Sequence, residues 1–469
     1  MNHCCVHIDI ELSVSTEEWL RHCERVVDTV LAVPGLVWKL WIANPTANSA
    51  GGIYLFSDEA SANAYVDGPI IAALRGNPRV RDARVHVYAV DDDLSRRTHA
   101  LGRNTDAAPQ AEQDALAPSP TSDAERFAGR VLGDLSAAMT GVMVRIGHEL
   151  GLYRTLAAQG PLTSQELAER ASVRERYARE WLHQQRAAGY LDYDSECARF
   201  RLAPGASAVL VAEESPAFLV PAFDIVAAMW ADAPRLEHAF KSGEGIAWGE
   251  HDPRLFEGCA RFFGTAYASS LAQSWLPALD GVTRKLTQGA AVADVGCGQG
   301  ISTVIMARAF PSSRFVGFDS HAASIQAAQQ RAERGKVSDR VRFEHATATD
   351  YGGERYDLIC FMDSFHDMGD AVAAARHAAR RLADGGTVML VELLAAARPE
   401  DNQGPLAAMN YAASTALCTP NALCHAGGIA LGAQAGPEAL QQALAEGGLH
   451  YFRVAAKTPF HMVIEARVR

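Results

Sequence analysis

The run Ala290-Ala291-Val292-Ala293-Asp294-Val295-Gly296-Cys297-Gly298-Gln299-Gly300 leads through Ile301–Phe310 to Arg314-Phe315-Val316-Gly317-Phe318-Asp319. Residues 290–295 are a short apolar stretch that reads as a buried strand. Three glycines at alternate positions follow, then a helical segment, then a second strand closed by an acid. This is a βαβ unit with a glycine-rich first turn and a carboxylate beyond it. The glycines let the chain turn tightly and let a ligand touch backbone. A carboxylate at the end of the second strand can accept from both hydroxyls of a ribose. Dinucleotide sites space their glycines GxGxxG, with a helix N-terminus facing a pyrophosphate. Here the spacing is GxGxG, with Asp294 two residues before the first glycine.

The pattern continues toward the C-terminus. Residues 341–344 read as a third strand. Residues 356–361 form a continuous apolar run, as a central parallel strand requires. Residues 370–382 read as helix and 385–392 as a fifth strand. The segments 451–457 and 460–466 are expected to close the sheet as an antiparallel hairpin. The predicted fold class of 286–469 is therefore α/β, a Rossmann-like doubly wound sheet.

The run Asp294-Val295-Gly296-Cys297-Gly298-Gln299-Gly300 resembles motif I of class I S-adenosylmethionine-dependent methyltransferases. Over 120–469 the chain is similar to bacterial winged-helix methyltransferases, relatives of the caffeate-type small-molecule O-methyltransferases. The resemblance implies S-adenosylmethionine as cofactor, a sulfonium that suits a carboxylate better than a pyrophosphate would. It implies that Asp294, Gly296, Gly298 and Gly300 hold its methionine and backbone contacts. Asp319 would hold the ribose. The stretch from His345 to Asp350, with Thr347 and Ala348, would approach the adenine. Thr347 stands where the family often has an acid. Asp363 joins this cofactor-binding set.

Phe365-His366-Asp367-Met368-Gly369-Asp370 resembles the family's His-Asp-Trp-x-Asp segment. The resemblance makes His366 the catalytic base that deprotonates a hydroxyl and Glu392 the acid that orients it. An imidazole with an ordinary pKa of ~6.5 suits that work. The alternative for His366 is a structural role at the strand end. Met368 replaces the usual Trp and points to a different acceptor shape. The irregular stretch with Met409-Asn410-Tyr411 and Leu417 to His425 reads as a lid over the acceptor. Cys418, Cys424 and His425, spaced C-x5-C-H, fit no standard zinc pattern, and no metal is expected.

Upstream, 123–215 reads as a winged-helix dimerisation domain. An apolar stripe runs from Val131 to Leu152. A short helix capped by Thr163 or Ser164, a second helix over 173–188 and a wing (190–193, 199–202) follow. Its 11 Lys and Arg against 13 Asp and Glu lack the basic excess of a DNA reader. Residues 216–285 read as a helical, aromatic-rich connector or lid. Residues 1–95 have the order βαββαβ, a ferredoxin-like unit. The run from Pro34 to Tyr65 resembles mono-oxygenase-like proteins of the dimeric α/β-barrel type. Trp38, Trp41, Tyr54 and His86 are candidates to line a barrel pocket there, or else to be core and contact residues. Residues 96–122 lose periodicity and read as a linker.

Composition bounds the rest. The 469 residues carry a net charge of −12. Such a chain is a poor general binder of nucleic acid or anionic membrane. It holds no apolar run of ~18 residues or more, so no membrane span is expected. Nine cysteines, odd in number and without a CxxC pair, point to free thiols and a reducing cytoplasm. The N-terminus lacks the features of a signal peptide. The sequence therefore predicts a cytoplasmic, homodimeric methyltransferase. It would act on a hydroxyl of a small aromatic or polyketide-like acceptor, with an accessory mono-oxygenase-like front domain. The rivals are a regulator that senses S-adenosylmethionine and an enzyme of the same fold with non-methylating chemistry.

Overall fold

The computed structural model describes residues 3–24, 26–31, 33–44, 46–92, 95, 123–425 and 428–469. The chain divides into two compact units, Met1–Ser119 and Pro120–Arg469. The expected linker over 96–122 lies outside the described residues.

The first unit holds β1 (Cys4–Leu12), β2 (Leu36–Asn44), β3 (Ser49–Phe56) and β4 (Val80–Ala89). They form an antiparallel sheet in the order β2-β3-β1-β4. Helices fill both crossovers, so the expected βαββαβ order is present. Val6, Ile8 and Ile10 of β1 alternate toward the helices and are buried with Phe56 and Ala62. The second crossover holds two helices, Glu59–Val66 and Pro69–Arg75. Gly68 caps the second and Pro69 starts it, because proline has no N–H to continue the first.

The register also separates four aromatic and histidine side chains considered together from the sequence. Tyr54 pairs with Val6 and with Lys39, while Trp41 pairs with Gly52, so Trp41 and Tyr54 face the helices. Trp38 pairs with Leu55, and His86 pairs with His7, on the opposite face. One pocket cannot hold all four, because period two sends neighbouring strand residues to different sides.

The second unit begins with the helix Asp123–Glu149. The helix Ser164–Arg170 is N-capped by Thr163, whose hydroxyl takes the Glu166 N–H while the Glu166 carboxylate takes the Thr163 N–H. The helix Glu175–Ala187 follows, then β5 (Leu191–Asp194) and β6 (Arg199–Leu202), paired antiparallel as the wing. Long helices, Val220–Ser242 and Arg254–Ser270, occupy the connector and pack on one another.

The remaining strands are β7 (Ala291–Val295), β8 (Arg314–Asp319), β9 (Val341–His345), β10 (Tyr356–Met362), β11 (Leu382–Leu393), β12 (Tyr451–Lys457) and β13 (His461–Arg467). Their order is β12-β13-β11-β10-β7-β8-β9, with β13 antiparallel to both neighbours. β7 is buried along its whole length and alternates between two cores. Val292 packs with Leu286, Met306 and Phe315 on one face. Ala293 and Val295 pack with Phe318, Phe361 and Leu390 on the other. Each such side chain contributes about 1.5–3 kcal/mol by leaving water. β8 and β10 flank β7 on opposite sides and run parallel to it, so the strand order reverses there. Such a sheet opens a crevice at this switch point, at the carboxyl ends of its strands.

Candidate functional site

A cavity of about 350 Å³ lies at that switch point, at the carboxyl ends of β7, β8 and β10. The glycine loop forms one wall. Gly296 and Cys297 both donate their N–H to the carbonyl of Phe318, at 2.8 and 3.0 Å. Gly298 donates to Asp319 Oδ2 at 2.8 Å, and His321 donates its backbone N–H to Asp319 Oδ1 at 2.8 Å. Each carboxylate oxygen keeps further acceptor capacity. Burial pushes the Asp319 carboxyl above its ordinary value, against the pull of those two N–H groups.

Gly296, Gly298 and Asp319 line the cavity, as do Thr347, Ala348 and Asp363. Asp294 and Gly300 are not among the lining residues. Both act on the loop itself. Asp294 is fully buried, and its Oδ2 accepts from Ser302 Oγ and Thr303 Oγ1, both at 2.6 Å. It thereby fastens the first turn of the helix Ile301–Ala309 to the end of β7. Gly300 has φ +73°, and a Cβ there would meet Phe343 Cζ at 2.5 Å. It serves a turn and a close approach, behind the wall.

On the far side, Thr347 donates its N–H and its hydroxyl to Asp350 Oδ1, at 2.7 and 2.8 Å, which holds that turn. Asp363 follows β10 with φ +49°, a conformation that costs a non-glycine residue on the order of 1–3 kcal/mol. Tyr267 Oη donates to its Oδ2 at 2.8 Å, and His461 Nε2 lies 3.4 Å from its Oδ1. Asp367 and Asp370 also line the cavity. Four acids thus line a space whose lining, among the described residues, contains no Lys or Arg, with burial pushing Asp367 up to about 7. In a partly desolvated site that arrangement favours a cation and opposes a pyrophosphate.

His366 and Glu392 lie behind this wall. They are 4% and 2% exposed and are not among the lining residues. His366 Nδ1 and Glu392 Oε2 are 2.5 Å apart, and Glu392 Oε1 accepts the Phe365 N–H at 3.1 Å. Burial alone would lower the His366 pKa. The adjacent Glu392 carboxylate overcomes it, and the imidazole is held above its ordinary value. The sequence placed His366 at the acceptor. Its neighbour Asp367 lines the cavity.

Several lining residues had no motif to announce them. Trp248, Phe256, Cys259, Phe263 and Tyr267 come from the connector, where many aromatics read equally as core. His425 and Asn421 come from the stretch read as a lid. Tyr267 carried no sequence signal, because its partner Asp363 is remote in the chain.

Known proteins match these parts separately. Residues 286–448 match a family model described as "Methyltransferase domain". Residues 138–212 match "Rv2258c-like winged HTH domain", and 5–101 match "Putative mono-oxygenase ydhR". Among curated proteins, 27-O-demethylrifamycin SV methyltransferase of Amycolatopsis mediterranei is 33% identical over 116 residues, 24% of this chain and 42% of the relative. Erythromycin 3''-O-methyltransferase of Saccharopolyspora erythraea is 33% identical over 81 residues, 17% of this chain and 26% of the relative. The chain thus spans less than half the length of these relatives. The solved structure of the mitomycin 7-O-methyltransferase MmcR superposes with a TM-score of 0.55 at 20% identity, covering 73% of this chain and 99% of that one. Human N-acetylserotonin methyltransferase, solved with SAM, gives 0.52 at 20% identity, covering 74% and 99%. The second unit has the methyltransferase fold, with a winged-helix domain before its Rossmann-like sheet.

The position of Asp294 gives a direct prediction. Asp294→Ala leaves two buried hydroxyls without their acceptor and lowers the thermal unfolding midpoint, at a cost of about 1–3 kcal/mol. An unchanged midpoint with lost ligand binding would instead assign Asp294 to the ligand.

Proposed function

We propose that the chain is a methyltransferase dependent on S-adenosylmethionine, acting on a hydroxyl of a small aromatic or polyketide-like acceptor in secondary metabolism. The observation that carries this reading is the lining of four acids without a Lys or Arg. S-adenosylmethionine carries a sulfonium and an ammonium, and it supplies a methyl group on positively charged sulfur. The residues fit such a molecule. Asp319 has acceptor capacity left for both ribose hydroxyls. Gly298, at φ +50°, has nothing within 4 Å of the place a Cβ would take, so a ligand can reach backbone. Gly296 extends that wall, Thr347 and Ala348 flank the base, and Asp363 takes the ammonium. Asp294 and Gly300 hold the loop from behind. The names of the rifamycin and erythromycin relatives support an oxygen acceptor.

The chain's task is alignment and deprotonation. Walls that hold the acceptor oxygen in line with the methyl–sulfur bond convert an encounter into a unimolecular step. Met368 lines the acceptor side. His366, with Glu392 holding Nδ1, is the residue proposed to activate the hydroxyl through Nε2. Nε2 must shed its proton before it can act.

Other features support the remaining parts of the reading. The helix Asp123–Glu149 exposes Phe127, Leu132 and Met139 at 64%, 68% and 68%. An apolar stripe of that size on a lone helix calls for a second copy of the chain. The mono-oxygenase-like front unit is accessory. On the helix Glu175–Ala187, Arg179 pairs with Glu175 and Arg176 with Glu180, which leaves little charge for phosphates. All nine cysteines are free, in keeping with a reducing cytoplasm. Among the described residues no helix is long and apolar enough to cross a membrane.

Four outcomes follow. Incubation with methyl-labelled S-adenosylmethionine and hydroxylated aromatic or polyketide acceptors should give products heavier by one methylene. Asp319→Ala should abolish both cofactor binding and turnover, and turnover that survives this change would remove Asp319 from the site. Because His366 is held above the ordinary ~6.5 and acts only unprotonated, activity should rise with pH through a value above 6.5. Glu392→Gln should move that limb down, and an unmoved limb would uncouple the pair. Light scattering should give a dimer that Leu132→Glu with Met139→Glu converts to monomer. A monomeric parent chain would refute that assignment.

A further inference from the structure

We propose that His366, Asp367 and Cys418 form a site for one zinc-class divalent metal ion in the wall of the cavity. A ring nitrogen of His366, a carboxylate oxygen of Asp367 and Cys418 Sγ all lie within 4.8 Å of one another. Ligand atoms at ~2.0–2.3 Å from a tetrahedral zinc sit roughly 3.3–3.8 Å apart, so small side-chain rotations close the set. The sequence spacing hid it. The C-x5-C-H run holds only one of the three, because His366 and Asp367 come from the turn after β10.

The surroundings are those of a metal site. His366 Nδ1 is taken by Glu392 at 2.5 Å, and Glu392 is itself fixed by the Phe365 N–H. A carboxylate behind a ligating histidine sets the ring orientation and leaves Nε2 for the ion. Cys418 closes a π-helical turn, Ser414–Cys418, a rare geometry that recurs at functional sites. The thiol is buried beside the histidine, where a structural cysteine would need no such partner. Asp367 lines the cavity while His366 and Cys418 are not among its lining residues, so an ion held by all three would lie in the cavity wall. Three protein ligands and one open position define a catalytic zinc site. A nitrogen, sulfur and oxygen set selects a borderline ion over Mg²⁺ or Ca²⁺, which demand oxygen.

Binding displaces the Nε2 proton and the thiol proton to solvent. With the ion bound, Nε2 would be a ligand and not a base, and the ion would take over activation of the hydroxyl by lowering its proton affinity. That role rests on the proposed function, whereas the binding site itself does not.

The test uses the full chain, stripped with a chelator and titrated with Co²⁺ and then Zn²⁺. The expected result is one ion per chain and a near-ultraviolet thiolate-to-cobalt charge-transfer band. Cys418→Ser should abolish the band, while Cys424→Ser should leave it unchanged. Glu392→Gln should keep the band and weaken Zn²⁺ binding about 10- to 100-fold. The absence of a thiolate band in the parent chain, or its survival in Cys418→Ser, would overturn the proposal. Titration of the same samples with S-adenosylhomocysteine reports on the proposed function alone, so the two can fail separately.

Discussion

Asp319 accepts the backbone N–H groups of Gly298 and His321, and the shape of the whole cavity follows from those two bonds. They tie the glycine loop after β7 to the end of β8. The Phe318 carbonyl repeats the tie through Gly296 and Cys297. Taking a carboxylate out of water costs several kcal/mol, and two N–H groups offset only part of that. The carboxyl therefore remains above its ordinary value. A ligand that brings hydroxyl donors to the remaining lone pairs, and positive charge to the neighbourhood, completes what the fold leaves unfinished.

The same logic extends around the cavity. Asp363 is held in a strained backbone conformation by Tyr267 and His461, which come from the connector and the last strand. Asp367 belongs to the turn that also carries His366. Elements far apart in sequence thus bring acids to one cavity, without a Lys or Arg among its described lining residues. Charge selects the ligand class, and the aromatic wall of Trp248, Phe256 and Phe263 supplies apolar contact area.

Sheet and loop were legible because they depend on local rules. A run such as Ala290–Val295, apolar but for Asp294, belongs in a buried parallel strand, and an acid closing the next strand belongs at its carboxyl edge. Side-chain direction was less legible. Motif spacing gave the place of Asp294 but not its partners, although Ser302 and Thr303 at the following helix start were a readable signal. Gly68-Pro69 was equally readable as the break between two helices. The seating of His366 against Cys418, and of Tyr267 against Asp363, depends on packing between distant segments. Periodicity carries no information about such contacts.

The ligand proposed for the cavity is a cationic nucleoside. Calorimetric titration of the full chain with S-adenosylmethionine tests it most directly, with NAD⁺ as the anionic comparison. Saturable binding of one S-adenosylmethionine per chain, with no heat from NAD⁺, is the predicted result. Failure to bind S-adenosylmethionine, or tighter binding of NAD⁺, would contradict it.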